Sequence, residues 1–189
     1  MEGEPGLSQR PDSWTEDDSR TFREIAEIGV PYRLEQLNVQ VRLIPFESKE
    51  SIRVVELGCG DGRLSHMVLD AFPNATVIGL DGSQSMREVA SARLERFGSR
   101  AVVAPFDLRS IDWLPVLDSA DCVLSSLAIH HLVHDEKKRL FSSVYGCLAD
   151  FGVFLVADLI EPQRPEARHL FADDYDRIAK GQAVSTSGS

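Results

Sequence analysis

The eleven residues Arg53-Val54-Val55-Glu56-Leu57-Gly58-Cys59-Gly60-Asp61-Gly62-Arg63 constrain this chain more than any other stretch. Val54, Val55 and Leu57 form a short apolar run that reads as a buried strand. Glycines follow at positions 58, 60 and 62, and then Leu64, Met67, Val68, Ala71 and Phe72 recur at helical spacing. Strand, glycine turn, helix is the order in which backbone closely approaches a bound nucleotide, because glycine lacks Cβ and tolerates positive φ.

The turn discriminates between ligands. A dinucleotide fingerprint requires G-x-G-x-x-G, with the third glycine admitting close helix packing. This chain has G-x-G-x-G, followed by Arg63. Glu56 stands two residues before the first glycine, where a carboxylate repels a pyrophosphate and attracts a cationic amine. The spacing and charge together predict a positively charged nucleoside without phosphate. A second strand, Thr76 to Asp81, ends in an acid 23 positions after Gly58. That is close to the roughly 20-residue offset at which a carboxylate accepts from both ribose hydroxyls in nucleotide folds.

The run E-L-G-C-G-D-G resembles motif I of the class I S-adenosylmethionine (SAM)-dependent methyltransferases. The resemblance covers roughly residues 50–160 and a preceding helical segment. It implies a Rossmann-like α/β fold: a three-layer sandwich with a mostly parallel sheet of about five strands, helices on both faces and an N-terminal helical cap. It implies SAM as cofactor and S-adenosylhomocysteine as product. Glu56, Gly58, Cys59 and Gly60 would then surround the aminocarboxypropyl tail, with Ser125 at the end of the fourth strand. Asp81 and Gly82 would hold the ribose, and Asp107 the adenine amino group, with Met86, Phe106 and Leu108 against the ring. Two of these residues have a second reading: Asp107 also suits a helix N-cap, and Met86 a core position.

The rest of the chain reads in order. Residues 1–14 form a polar, flexible tail. Residues 15–48 supply two cap helices, the first starting at Thr15-Glu16-Asp17-Asp18 and broken by Gly29 and Pro31. Tyr32 and Arg33, at the joint between them, either reach into the substrate pocket or lie on the surface. Residues 49–180 form the cofactor domain, and 181–189 a second flexible tail. The third strand spans 101–104, the fourth 120–127 and the fifth 153–159, with Asp150-Phe151-Gly152 turning into the fifth and Glu161-Pro162 ending it. A last helix falls between Arg164 and Lys180.

After the fourth strand, His130 or His131 is the candidate base or acceptor hydrogen-bond partner, against the alternative that both only pack and cap. His130 and His134 are four apart, but no third ligand is spaced to complete a metal site, and none is expected.

Charge narrows the acceptor. Thirty acids against 20 Lys and Arg give a net charge of −10, with no basic cluster, which argues against nucleic acid and for a small molecule. No stretch approaches the roughly 20 apolar residues that span a bilayer. The three cysteines (59, 122 and 147) read as reduced thiols of a cytoplasmic protein.

The chain also departs from the family. The full fold has seven strands, the last two a hairpin beside the fifth, yet only 30 residues follow Leu159 and none reads as a strand. This predicts an exposed fifth strand that truncation, a homodimer or a minimal variant would explain. It keeps open a non-catalytic SAM-binding module beside the methyltransferase reading. An NAD-dependent oxidoreductase is disfavoured by Glu56 and Arg63.

Overall fold

The computed structural model describes residues 14–160 and 162–187. The tail expected over 1–14 thus lies outside the described residues except for Trp14, as do Glu161 and residues 188–189.

Helix α1 (Glu16–Gly29) begins where its acids lead it to. The Asp18 backbone N–H donates to Thr15 Oγ1 at 3.2 Å, and the Thr15 N–H donates back to Asp18 Oδ2 at 2.9 Å. This reciprocal cap satisfies two donors that a helix start otherwise leaves orphaned. A joint through Val30-Pro31-Tyr32 leads to α2 (Arg33–Arg42), whose Leu37 is buried. The chain then alternates: β1 (Arg53–Leu57), α3 (Arg63–Ala71), β2 (Thr76–Asp81), α4 (Gln84–Leu94), β3 (Ala101–Pro105), β4 (Ala120–Ser126), α5 (His134–Cys147), β5 (Leu148–Ala157) and α6 (Pro165–Ser187).

The five strands form one sheet in the order β3-β2-β1-β4-β5, and every pairing is parallel. Strand alternation divides the core into two layers. Val54, Val77, Cys122 and Leu124 pack with residues of α2, α3 and α4, including Leu37, Leu64, Val68 and Leu94. Val55, Leu57, Leu80 and Val123 pack on the other face with Trp113, Leu117, Leu140 and Val144. The result is the expected Rossmann-like sandwich. The order in which strands are added reverses between β1 and β4, with β2 on the other side of β1, so a crevice forms at the carboxyl ends of these strands.

The C-terminal part differs from the expectation in its boundaries. Asp150-Phe151-Gly152 does not turn into β5 but lies within it, as an irregularity where Phe151 takes φ +67° and the register shifts between Ala120 and Cys122. The strand ends at Ala157 instead of Leu159. Helix α6 continues past Lys180 to Ser187, so the flexible segment expected from 181 is helical as far as it is described. α6 packs on α1 through the Tyr175 hydroxyl, which donates to the Gly29 carbonyl. Among the described residues no strand pairs with the outer edge of β5.

Candidate functional site

A cavity of about 480 Å³ opens at the carboxyl ends of the strands, beneath the start of α1. Its floor is the glycine turn. The N–H groups of Gly58 and Cys59 both donate to the Leu80 carbonyl, at 2.8 and 3.0 Å. Gly60 N–H donates to Asp81 Oδ2 at 2.8 Å. These bonds fold the turn back onto the end of β2. Gly58 has φ +72°, and a Cβ there would lie 2.5 Å from the Ala128 Cβ. Gly62, at φ +75°, lets the turn pack against a neighbouring helix: a Cβ on it would meet Ala90 of α4 at 3.0 Å. At Gly60 an added Cβ would meet nothing within 4 Å, so this turn leaves space for a ligand beside the backbone.

Two carboxylates sit against that turn. Glu56 is 2% exposed and accepts from the Ser65 hydroxyl of α3. Burial pushes its pKa up to about 8, against the opposing Ser65 bond, with the Asp61 and Asp81 charges adding to the rise. Among the described residues no cation is paired with Glu56, so a positively charged ligand is what its surroundings favour. Asp81 accepts from Gly60 N–H with one oxygen and from Ser83 N–H at 2.9 Å with the other. Burial raises its pKa, and those two backbone bonds oppose the rise. Each carboxylate oxygen has a second lone pair, so Asp81 can still accept two hydroxyls.

Beyond Asp81 the cavity is lined by Gly82, Met86, Phe106, Asp107 and Leu108. Asp107 caps no helix. Its Oδ1 accepts from Arg109 N–H at 2.9 Å in a tight turn, which projects this acid at the end of β3. Phe106 stands edge-on to Trp113, with ring centroids 5.6 Å apart.

Three expected residues lie off the cavity lining. Ser125 is fully buried: its hydroxyl donates to the Leu57 carbonyl at 3.0 Å, stitching β4 to β1, and its neighbour Ser126 lines the cavity instead. Tyr32 is 54% exposed, and its backbone N–H donates to Gln182 of α6 at 3.1 Å. His130 Nδ1 lies 2.6 Å from Asp158 Oδ1, while its backbone N–H donates to the other oxygen at 2.9 Å. Burial alone would raise the Asp158 pKa, but the His130 contacts outweigh it and hold it below the usual carboxylate range. His131 does line the cavity, its ring centre 4.1 Å from that of His130 and 5.0 Å from that of Trp14, tilted against both. His130 sits in a tight turn over 129–131 and His134 at the start of α5, so the two do not share a helix face. Among the described residues no group of three His, Cys, Asp or Glu could hold a metal ion.

The remaining wall is the cap: Trp14, Thr15, Glu16, Phe22, Arg33 and Leu37. Glu16 reaches across to the start of α4, accepting from Gln84 N–H at 2.7 Å and the Ser83 hydroxyl at 2.9 Å. Its contacts with Ser85 and Ser83 lower its pKa to about 2. Arg33 lies 3.1 Å from Asp61 in the glycine turn, and Arg93 of α4 grips the same carboxylate at 3.0 Å. Sequence reasoning passed over Glu16, Asp61 and Ser126. Asp61 had a signal, as an acid inside the motif itself. The sequence marks Glu16 only as a helix-start acid.

A methyltransferase-domain family model matches residues 54–152, more than half of the chain. The carboxy-S-adenosyl-L-methionine synthase of Nautilia profundicola is 19% identical over 90% of this chain and 71% of its own length. The trans-aconitate 2-methyltransferase of Variovorax paradoxus is 33% identical over 57% of this chain and 38% of its own. Phosphoethanolamine N-methyltransferase 2 of Haemonchus contortus, solved with SAM, shares the fold with a TM-score of 0.62 at 21% identity, over 89% of this chain and 41% of its own. The chain thus spans well under half of these last two relatives. With a glycine turn, a strand-end acid and a matched domain in the same place, the chain belongs to the SAM-dependent methyltransferases.

Proposed function

We propose that this chain transfers a methyl group from SAM to an O, N or C nucleophile of a small molecule. One observation carries the reading: two carboxylates, the buried Glu56 and the half-buried Asp81, flank a glycine turn that opens into the cavity at the switch point of the sheet. SAM, when bound, supplies a methyl group activated by a sulfonium. The protein's share is positioning and exclusion of water. Asp81 holds the ribose hydroxyls, and Asp107 accepts from the adenine amino group between Phe106, Leu108 and Met86. Glu56, once ionised, offsets the positive charge of the tail, while Gly58 and Gly60 let it lie against backbone. Trp14 and Phe22 close the cavity from above. His131, on the lining beside the end of β4, takes the acceptor's proton or orients its nucleophile.

The net charge of −10 favours a small acceptor over nucleic acid. No helix of the described residues is long and apolar enough to cross a membrane. The exposed edge of β5 supports a second reading, a SAM-binding module completed by a partner chain or a second copy.

Calorimetric titration with SAM, S-adenosylhomocysteine and NADH tests the cofactor. Binding of the first two alone is expected, and binding of NADH alone would overturn it. Release of S-adenosylhomocysteine over a panel of small acceptors then separates an enzyme from a module, which would bind without turnover until its partner is added.

A further inference from the structure

A second cavity, of about 340 Å³, opens between the segment that follows β3 and helix α5. Its lining shares Leu108 and Arg109 with the first cavity but includes no residue of the glycine turn or of the cap. Phe106 belongs to the first cavity and Trp113 to the second, so this edge-on pair stands as a partition between them. Small-molecule sites run from about 300 to 1,000 Å³, so the space suits a small ligand.

The charge around this cavity runs against that of the chain. Arg109, Lys138 and Arg139 line it with one acid, Glu136, in a protein whose net charge is −10. Glu136 is already engaged: one oxygen accepts the Val133 N–H at 2.9 Å at the start of α5, and the other lies 3.7 Å from Arg109 Nε. Lys138 and Arg139 are exposed, and among the described residues no side-chain hydrogen bond or ion pair holds either. Trp113, by contrast, is 6% exposed, and its Nε1–H finds no acceptor among the described residues. A buried donor without an acceptor is costly, because it has given up water and gained nothing. An oxygen acceptor seated against Trp113 relieves that cost.

These features converge on one ligand class. Three cations against one acid balance a dianion, and a phosphate monoester carries about −1.5 to −2 charge at neutral pH. Its oxygens match the planar fork of a guanidinium. Ile111 and Leu114 add apolar wall, which suits an organic body on that phosphate. We propose that the cavity between the 108–114 segment and α5 binds a small phosphate monoester, held by Arg109, Lys138, Arg139 and the Trp113 indole N–H. This site lies outside the cofactor cavity, and the proposal stands without the SAM reading.

The probe is phenyl phosphate, titrated calorimetrically into the full chain, with two controls. Inorganic phosphate keeps the charge and drops the ring; benzoate keeps the ring with a single charge. Phenyl phosphate should bind about 10-fold tighter than either. Combining Lys138→Gln with Arg139→Gln should weaken it about 10-fold, the scale of charge-assisted bonds at exposed groups. Lys137→Gln, one position away on α5 and off the lining, should leave it unchanged. All three positions are on the helix surface or its flank, where substitution spares the core. The indole N–H resonance of Trp113, told apart from that of Trp14 by Trp14→Phe, should shift on saturation. Benzoate binding as tight as phenyl phosphate would make the site one for carboxylates. Equal losses in Lys137→Gln and the double variant would mean diffuse surface charge, and an unmoved Trp113 resonance would put the probe outside this cavity. Displacement by saturating S-adenosylhomocysteine would put it in the first. Each of these outcomes, like an absence of binding, overturns the proposal.

Discussion

The cavity has one wall of strand ends and one wall of cap helix, and the two are held in different ways. On the sheet side, the glycine turn is fixed by backbone bonds to Leu80 and Asp81, and the strands beneath it are buried. On the cap side, Trp14 is 44% and Ile25 49% exposed. Apart from the buried Leu37, that wall is joined to the rest by side-chain anchors: Glu16 on the start of α4, Arg33 on Asp61, and Trp14 against His131. Segments with few buried apolar contacts and side-chain anchors open at lower free energy than a packed sheet. The sheet wall should therefore be formed before a ligand arrives, and the cap wall should be the one that parts to admit it.

The sharpest way to break this division is at Asp81, on the wall taken to be preformed. Asp81→Ala should lower SAM affinity by about 100-fold or more, since it removes two charge-assisted bonds worth roughly 1.5–3 kcal/mol each. Titration calorimetry reads this directly, and an unchanged affinity would remove Asp81 from the ribose site.

Gly58→Ala tests whether the turn tolerates any relaxation. Its methyl would meet the Ala128 Cβ at 2.5 Å with the backbone at φ +72°. A cost of about 1–3 kcal/mol is expected, on the order of 5 °C in Tm. A thermal melt within a degree of the unsubstituted chain would show that the turn yields more easily than described.

The third expectation concerns pH. A cationic ligand favours the ionised form of Glu56, whose pKa of about 8 in the folded chain leaves most of it protonated at pH 7. SAM affinity should therefore rise about fivefold between pH 7 and 8, by the ionised fraction alone. Glu56→Gln should flatten that dependence. The same raised pKa means that the folded chain loses stability as pH climbs from the ordinary glutamate value through 8, and Glu56→Gln should remove the loss. A profile identical in both proteins would show that Glu56 does not titrate in the site.

The smallest effect is the most specific to the cap. Glu16→Gln should speed amide hydrogen exchange in α1 and at Gln84 and Ser85 while leaving β1 and β4 unchanged. Because the Glu16 pKa lies near 2, its hold on α4 should not vary between pH 5 and 9 once intrinsic exchange rates are corrected. Faster exchange in the sheet as well would mean the two walls are one unit.

The sheet wall was largely legible in the sequence because its signals are local. Glycines at 58, 60 and 62 and acids at strand ends are set by spacing along the chain. The differences there are of a single residue. Ser125 and Ser126 point to opposite sides of a strand, and periodicity alone does not say which side meets the ligand. His130 and His131 pose the same difficulty in a tight turn, where the partner that decides is Asp158, 28 residues on. The cap wall was nearly illegible. Glu16 finds Ser83 across 67 positions, and nothing in the local pattern of either residue announces the other. Arg33 stands out in the sequence as a charged residue at a joint, but its partner Asp61 is visible only once α2 packs over the turn.

The parallel sheet also has a consequence for how the chain reaches this state. β1 is joined to β4 across a gap of 68 positions, as in the Ser125–Leu57 bond, and no pairing in the sheet is a hairpin. Contact order is accordingly high, and such topologies fold slowly because loop closure precedes any gain from pairing. During synthesis β1 meets β2 first, while its other edge stays bare until β4 has emerged. The strand most deeply enclosed in the finished protein is thus the one left half-exposed for longest in the nascent chain. That interval is where chaperone binding should concentrate.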